Sequence, residues 1–414
     1  MNNSKRYPWI LVALLWVVAL LNYMDRQMLS TMKPSMQLDI HELQSAANFG
    51  YLMAIFLWIY GIMSPISGII ADSINRKWLI IISLFIWSAV TFAMGYASSF
   101  DQIYWLRAFM GFSEALYIPA GLSLVSDFHT NKTRSLAVGI HMSGIYMGQA
   151  LGGFGATFAK MFSWQQAFHT FGLIGIIYSF VLILFLKNDL RNKQLHVANT
   201  NKISIPKFST LFKGVSLLLT NISFWVILIY FAVPSLPGWG VKNWLPTLYA
   251  QNLHIEMSVA GPIATITLAG SSLLGVIFGG ILSDRWSQKN LRGRVYTSAI
   301  GLSLTVPALF LINHGNSLFS IVGASFCFGF GFGMFDTNNM PILCQFVSSK
   351  YRATAYGLMN LVGVFSGALI TNILGKSSDN GNMGQVFTYL ALIVIVALII
   401  QLTFLRPKTN DFID

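Results

Sequence analysis

Apolar residues run along the chain in twelve long blocks separated by short polar stretches. The blocks lie at about 9–30, 48–70, 78–98, 101–124, 133–158 and 164–187, then at 222–249, 259–282, 295–313, 317–346, 353–375 and 384–406. Each approaches or exceeds the roughly 18 residues that mark a membrane-crossing helix. The pattern predicts an all-α membrane protein with twelve transmembrane helices. The first block follows Lys5 and Arg6, as a secretory leader would. It runs longer than a leader core, carries Asp25-Arg26 and lacks a small-residue cleavage site, so it is read as a retained helix.

Composition agrees with the pattern. Of 414 residues, 55% are hydrophobic and 10% charged, whereas a soluble domain of this size carries about a quarter charged residues. A soluble enzyme is excluded, and so is a disordered chain. The net charge of +12 is explained by where the bases fall. Twenty of the 26 Lys and Arg residues lie in alternate loops on one side; Lys33, Lys160, Lys242 and Lys376 lie on the other, and Arg26 and Arg107 sit inside spans. Such asymmetry places both termini in the cytoplasm and leaves no role for nucleic acid. Cys327 and Cys344 fall in one predicted helix, too far apart for a disulfide.

The longest polar stretch divides the chain into a six-helix unit over 1–190, a cytoplasmic linker over 191–221 and a second six-helix unit over 222–414. The two units repeat each other. Gly68-Ile-Ile-Ala-Asp72 matches Gly280-Ile-Leu-Ser-Asp284, and Lys132-Thr-Arg134-Ser-Leu-Ala-Val-Gly139 matches Lys350-Tyr-Arg352-Ala-Thr-Ala-Tyr-Gly357, at offsets of 212 and 218. Two like-oriented repeats are the mark of a transporter whose halves rock about a central site.

On these strings the chain resembles the major facilitator superfamily of transporters over essentially its full length. The family's loop between the second and third helices is present as Gly68-x-x-x-Asp72-x-x-x-Arg76-Lys77, with the usual glycine before Arg76 replaced. Asn22-Tyr-Met-Asp25-Arg26-Gln-Met-Leu-Ser30, Arg107-Ala-Phe-Met-Gly111-Phe-Ser-Glu114-Ala115 and Trp244-Leu-Pro246-Thr-Leu-Tyr249 resemble the anion:cation symporters, which include hexuronate and galactonate transporters. The Spinster-type lipid transporters carry similar strings in the first and fourth helices. The first resemblance implies proton-coupled symport of a small organic anion such as a sugar acid across a bacterial cytoplasmic membrane. The second implies a lysophospholipid or another amphiphile as cargo.

Charges inside a bilayer are costly and mark function or a paired lock. Five stand out: Asp25, Arg26, Arg107, Glu114 and Asp336. Arg107 and Glu114 are two turns apart and share a face, while Asp25 and Arg26 point about 100° apart. The resemblance puts these spans around the cavity and gives Asp25 and Glu114 proton coupling, flanked by Arg26 and Arg107. A guanidinium keeps its proton and forks onto a carboxylate. The competing reading is that the arginines only tie the first and fourth helices together. Asp336-Thr-Asn338-Asn339 suits sugar hydroxyls or an interhelical clamp. Lys242 reads as a second substrate cation or a snorkelling interfacial residue. His141, Tyr146 and Gln149 complete the candidate lining.

Pro234, Pro237, Gly238 and Gly240 predict a broken, gate-like seventh helix. Gly144, Gly148 and Gly152 predict a close helix contact. As the resemblance implies, Asp72, Arg76, Lys77 and Arg134 would lock the cytoplasmic side in the outward-facing state, with Asp284, Arg285 and Arg352 as the weaker counterpart in the second half; the competing reading is a solvated loop whose bases serve only topology. No His-x-x-x-His or His-Glu pairing points to a metal. The expectation is a monomer in the lipid bilayer with no cofactor, coupled to a proton or a sodium ion, and not an enzyme.

Overall fold

The computed structural model describes residues 6–129, 133–187, 215–315, 317–347 and 351–407; most of the predicted linker lies outside them. Among the described residues the chain is helical: α1 (Tyr7–Asp39), α2 (Ala46–Ser73), α3 (Arg76–Met94), α4 (Phe100–Glu114), α5 (Tyr117–Phe128), α6 (Arg134–Gly152), α7 (Gly155–Met161) and α8 (Trp164–Phe185) form the first half. The second half contains α9 (Ile222–Leu253), α10 (Met257–Ser287), α11 (Gly293–His314), α12 (Leu318–Asp336), α13 (Asn339–Leu343), α14 (Arg352–Asp379) and α15 (Met383–Phe404). Eleven spans are long and apolar enough to cross a membrane, and α6 with α7 supplies the fifth span of the predicted twelve. Side-chain oxygens of Ser45, Asn75, Ser99, Ser163, Asn221 and Ser317 cap the helices that follow them, satisfying backbone donors that lipid cannot.

Three blocks expected as single helices are each two. The fourth breaks at Ala115–Leu116 and the tenth at Thr337–Asn338. The same cause acts in both. Pro119 and Pro341 have no N–H to return to the carbonyls of Ala115 and Thr337, four residues back, so the ladder is interrupted there. Cys327 and Cys344 are thus on separate pieces, and both are free thiols. The fifth block breaks at Gly153–Phe154, where bonds tighten to the i−3 carbonyls of Ala150 and Leu151.

The seventh block, expected to break, does not. Helix α9 runs through Pro234, Pro237 and Pro246. The Ser235 hydroxyl donates to the Phe231 carbonyl at 2.7 Å. Pro246 leaves the Lys242 carbonyl without its helical donor, and Gln27 of α1 supplies one, Nε2 to oxygen at 3.0 Å. A neighbouring helix has repaired the proline defect.

Within each half the spans pack in register: α1 on α6, α3 on α8, α10 and α11 on α12, and α11 on α15. The expected glycine contact is present. A Cβ on Gly144 would meet the Trp16 carbonyl at 2.6 Å and one on Gly152 the Met24 carbonyl at 2.8 Å, with Gly148 closer still to Leu20. The halves meet along α2 with α14 and α6 with α10. The lipid-facing sides of α8 and α15 expose Leu173, Ile177, Leu184, Leu392, Val396 and Ile399, as a hydrocarbon solvent requires.

Candidate functional site

The charges of the first half converge. Arg26 Nε of α1 lies 2.5 Å from Glu114 Oε2, at the last residue of α4, with the two side chains 9% and 0% exposed. The Arg26 guanidinium is faced by the rings of Tyr23, Phe56 and Tyr60 at 4.5–4.7 Å. Arg107 stands over the other side of Phe56 at 4.6 Å and makes no ion pair to a carboxylate among the described residues. Asp25 is buried, accepts from Thr91 Oγ1 at 3.4 Å, and feels the charges of Glu114 and Arg107.

This centre is bonded incompletely. Asp25 Oδ1, Arg26 Nη2 and Arg107 Nε are buried without a hydrogen-bond partner, and Asn22 lies against Glu114. A lone unsatisfied buried polar atom costs about 1–3 kcal/mol. Three beside a buried ion pair suit a site that takes up protons, water or an anion. Asn22 was not singled out from the sequence, although it begins the string that carried the family resemblance.

The second half presents a different surface. Asp336, the last residue of α12, is solvent-exposed and has one hydrogen bond, from Asn339 Nδ2 at 3.2 Å. Its charge acts on Tyr23 of α1, Tyr146 of α6, Tyr230 and Lys242 of α9 and Tyr356 of α14. Phe332, one turn earlier on α12, meets the Lys242 ammonium of α9 at 5.5 Å, and the Lys242 carbonyl accepts from Gln27 of α1, so groups of both halves approach Asp336. Lys242 is half-buried, its ammonium 5.4 and 5.5 Å from the ring centres of Trp239 and Phe332, within electrostatic reach of Asp336 and Arg26.

The other predicted residues sit further from the opening. Asn338 is fully buried and returns Nδ2 to the Met334 carbonyl at 2.8 Å. Asn339 accepts from the Tyr230 hydroxyl at 3.0 Å. The Tyr117 hydroxyl donates to the Leu15 carbonyl at 2.7 Å and meets His141 Nε2 at 2.8 Å. The ring proton is thereby assigned to Nε2, and the buried Nδ1 is left without a partner. Gln149 is buried on α6.

The residues of the expected cytoplasmic lock make these bonds among the described residues. Arg76 pairs with Asp127 at the end of α5, Lys77 Nζ donates to the Ile183 carbonyl at 2.9 Å, and Asp284 pairs with Arg294 at 2.7 Å. Arg134 donates to the His129 carbonyl and Arg352 to that of Val347, each five residues back, so the sequence repeat is also a repeated bond. Arg285 is exposed. The Asp72 side chain falls outside the described residues. Asp127 and Arg294 were missed because a charge at a span end reads as topology alone.

Among the described residues, several bonds join the halves at the opposite end. Lys160 pairs with Glu256, Thr157 Oγ1 donates to the Ser258 carbonyl at 2.8 Å, and Thr265 Oγ1 to that of Ala150 at 3.0 Å. Asp379 of α14 accepts from Ser45 Oγ and from the N–H groups of Ala46 and Ala47, at 2.6–2.9 Å, capping α2 from across the interface. Toward the termini, the Asn360 amide reaches Ser64 at 2.6 Å.

Two repeated helical halves with charged side chains buried among their spans fit a membrane transporter. The Major Facilitator Superfamily model matches residues 15–371, and the chain belongs to that family. It is similar to the hexuronate transporter of Escherichia coli (strain K12), 24% identical with 99% of this chain and 96% of the relative covered. It is also similar to the galacturonate transporter of Dickeya chrysanthemi, 26% identical over 76% of this chain and 92% of the relative. A crystal structure of a bacterial homolog of the human lysosomal transporter Spinster superposes with TM-score 0.77 at 20% identity, covering 98% of both chains. The protein is a multi-pass membrane transporter, not an enzyme.

Proposed function

We propose that the protein is a proton-coupled symporter of a small organic anion, a sugar acid of the uronate or aldonate class, working by alternating access in a bacterial cytoplasmic membrane. The observation that carries this reading is the incompletely bonded centre of Asn22, Asp25, Arg26, Arg107 and Glu114. Arg26 is held by Glu114 in this state. Protonation of Glu114 cancels the ion pair and frees the guanidinium for a substrate carboxylate, so proton and anion enter together. Arg107, with no carboxylate of its own, offers a second donor, and Asp25 shares the same electrostatic centre. Names of the relatives support an acidic sugar as cargo.

The inter-half bonds support closure at the end away from the termini, which the charge bias makes the outer end. The test is uptake of labelled galacturonate into proteoliposomes under an imposed pH gradient, an imposed sodium gradient, or neither. Stimulation by the pH gradient alone is expected. Stimulation by sodium alone would replace the proton as coupling ion. Uptake of a lysophospholipid, with no acidic sugar carried under either gradient, would overturn the reading in favour of the Spinster-like one.

A further inference from the structure

The break that ends α4 and the break that ends α12 are copies of one another. Gly111, Glu114 and Pro119 recur as Gly333, Asp336 and Pro341, all at an offset of 222. The packing recurs too. A Cβ on Gly111 would strike the Phe56 carbonyl of α2 at 2.6 Å, and one on Gly333 would strike the Ser272 carbonyl of α10. Asp336 is thus the second half's counterpart of Glu114. Arg26 precedes Glu114 on the first span of its half, and Lys242, at an offset of 216, stands on the first span of the other half. Each half therefore carries one acid–base pair in the same place.

The two pairs differ in state. Arg26 and Glu114 are joined and buried. The Lys242 ammonium lies over Trp239 and over Phe332, which is one turn before Asp336 on α12, yet among the described residues the two charges form no ion pair, and Asp336 is exposed. An open carboxylate beside an open ammonium in the membrane interior is unfavourable unless something fits between them. A single charge on the cargo would satisfy one and repel the other. Cargo with a carboxylate next to an ammonium satisfies both.

Resting on the anion-symport reading, we propose that Lys242 and Asp336 recognise the adjacent carboxylate and ammonium groups of a 2-amino sugar acid. Its carboxylate lies between Lys242 and Arg26, whose neighbour Gln27 bonds the Lys242 carbonyl at 3.0 Å, and its ammonium on Asp336. Tyr23, Tyr146 and Tyr356, all within the field of Asp336, present hydroxyls for the rest of the sugar. The substrate is then held by both halves at once.

The test compares gluconate with 2-amino-2-deoxygluconate, which differ only at C2, by calorimetric binding to the purified full-length protein. The wild type should bind the amino acid form about tenfold or more tightly, the weight of one charge-assisted hydrogen bond. Asp336→Asn should abolish that preference while retaining gluconate binding, Asp336→Glu should restore it, and Lys242→Gln should weaken both ligands. Equal wild-type affinities, or an Asp336→Asn variant that weakens both ligands alike, overturn the inference and leave the symport reading standing. Discrimination at Asp336 without any proton-driven uptake overturns the symport reading and supports the inference. If neither acid binds, both fall.

Discussion

At the scale of single residues, the decisive contrast is between Glu114, which has a partner, and the atoms around it, which do not. Glu114 Oε2 holds Arg26, while Asp25 Oδ1, Arg26 Nη2 and Arg107 Nε have no partner. Removing one member of a buried pair leaves an uncompensated charge and costs about 3–5 kcal/mol. Glu114→Ala should therefore lower thermal stability, and Glu114→Gln should lower it less, because it leaves the Arg26 charge uncompensated but keeps a hydrogen-bond acceptor for it. We expect Glu114→Gln to abolish concentrative uptake in a pH gradient while counterflow of preloaded substrate survives. Undiminished uphill uptake by that variant would remove Glu114 from coupling. His141 belongs to a different category. Its Nε2–Tyr117 contact lies in the packed interior of the first half, with no charged neighbour. His141→Gln should reduce stability by about 1–3 kcal/mol, the cost of a disturbed buried hydrogen bond, and leave the pH dependence of transport unchanged.

At the scale of elements, proline placement separates what the sequence disclosed from what it concealed. The glycines of α6 were legible because a four-residue spacing has one structural use in a membrane, and Gly148 does lie against the Leu20 carbonyl. Gly148→Val should cost about 1–3 kcal/mol by overpacking that contact, read as a lowered Tm in detergent. Pro119 and Pro341 broke their helices, whereas Pro234, Pro237 and Pro246 did not break α9. Sequence alone cannot tell these cases apart, because the outcome depends on whether another helix supplies the missing donor. Gln27 supplies it at Lys242. The five intramembrane charges were legible as rarities in apolar runs. That Arg26 rather than Arg107 holds Glu114 was not, since both arginines can face that acid. The kinship of Asp336 with Glu114 was written in the chain as the Gly-x-x-acid-x-x-x-x-Pro repeat, but a conservative Glu-to-Asp exchange and unlike neighbours hid it. Gln27→Leu should leave the Lys242 carbonyl unsatisfied, at about 1–3 kcal/mol, specifically in the state where α1 and α9 touch. Spin labels across the outer end of the interface should then report a larger outward-open population, by about tenfold for each 1.4 kcal/mol.

At the scale of the whole molecule, alternating access requires that each end be closed by bonds weak enough to exchange. The outer end offers two electrostatic fastenings of different character. Asp379 is fixed by three donors at the start of α2, and its effect comes from matching a carboxylate to a helix N-terminus. Lys160–Glu256 is exposed on both sides and is open to salt and pH. The hydrogen bond from Lys160 holds the Glu256 carboxyl below the usual carboxylate range, with Ser258 adding to it. Because the bound form has the lower pKa, its contribution to closure is fully present above the ordinary carboxylate pKa. It is lost only as the external pH falls through the depressed value. Across the neutral range, then, the pair should be insensitive to pH yet sensitive to ionic strength, since exposed charges are screened over about 8 Å at physiological salt. Labelling of a cysteine placed behind this outer seal should be unchanged between pH 8 and 6 and should rise with added salt. Glu256→Gln should remove the salt response and leave the Asp379 fastening as the remaining closure, so that labelling stays well below that of a Glu256→Gln/Asp379→Asn double variant. A salt response that persists in Glu256→Gln would assign outer closure to other charges, and a double variant no more accessible than the single would show that Asp379 caps α2 without closing the gate.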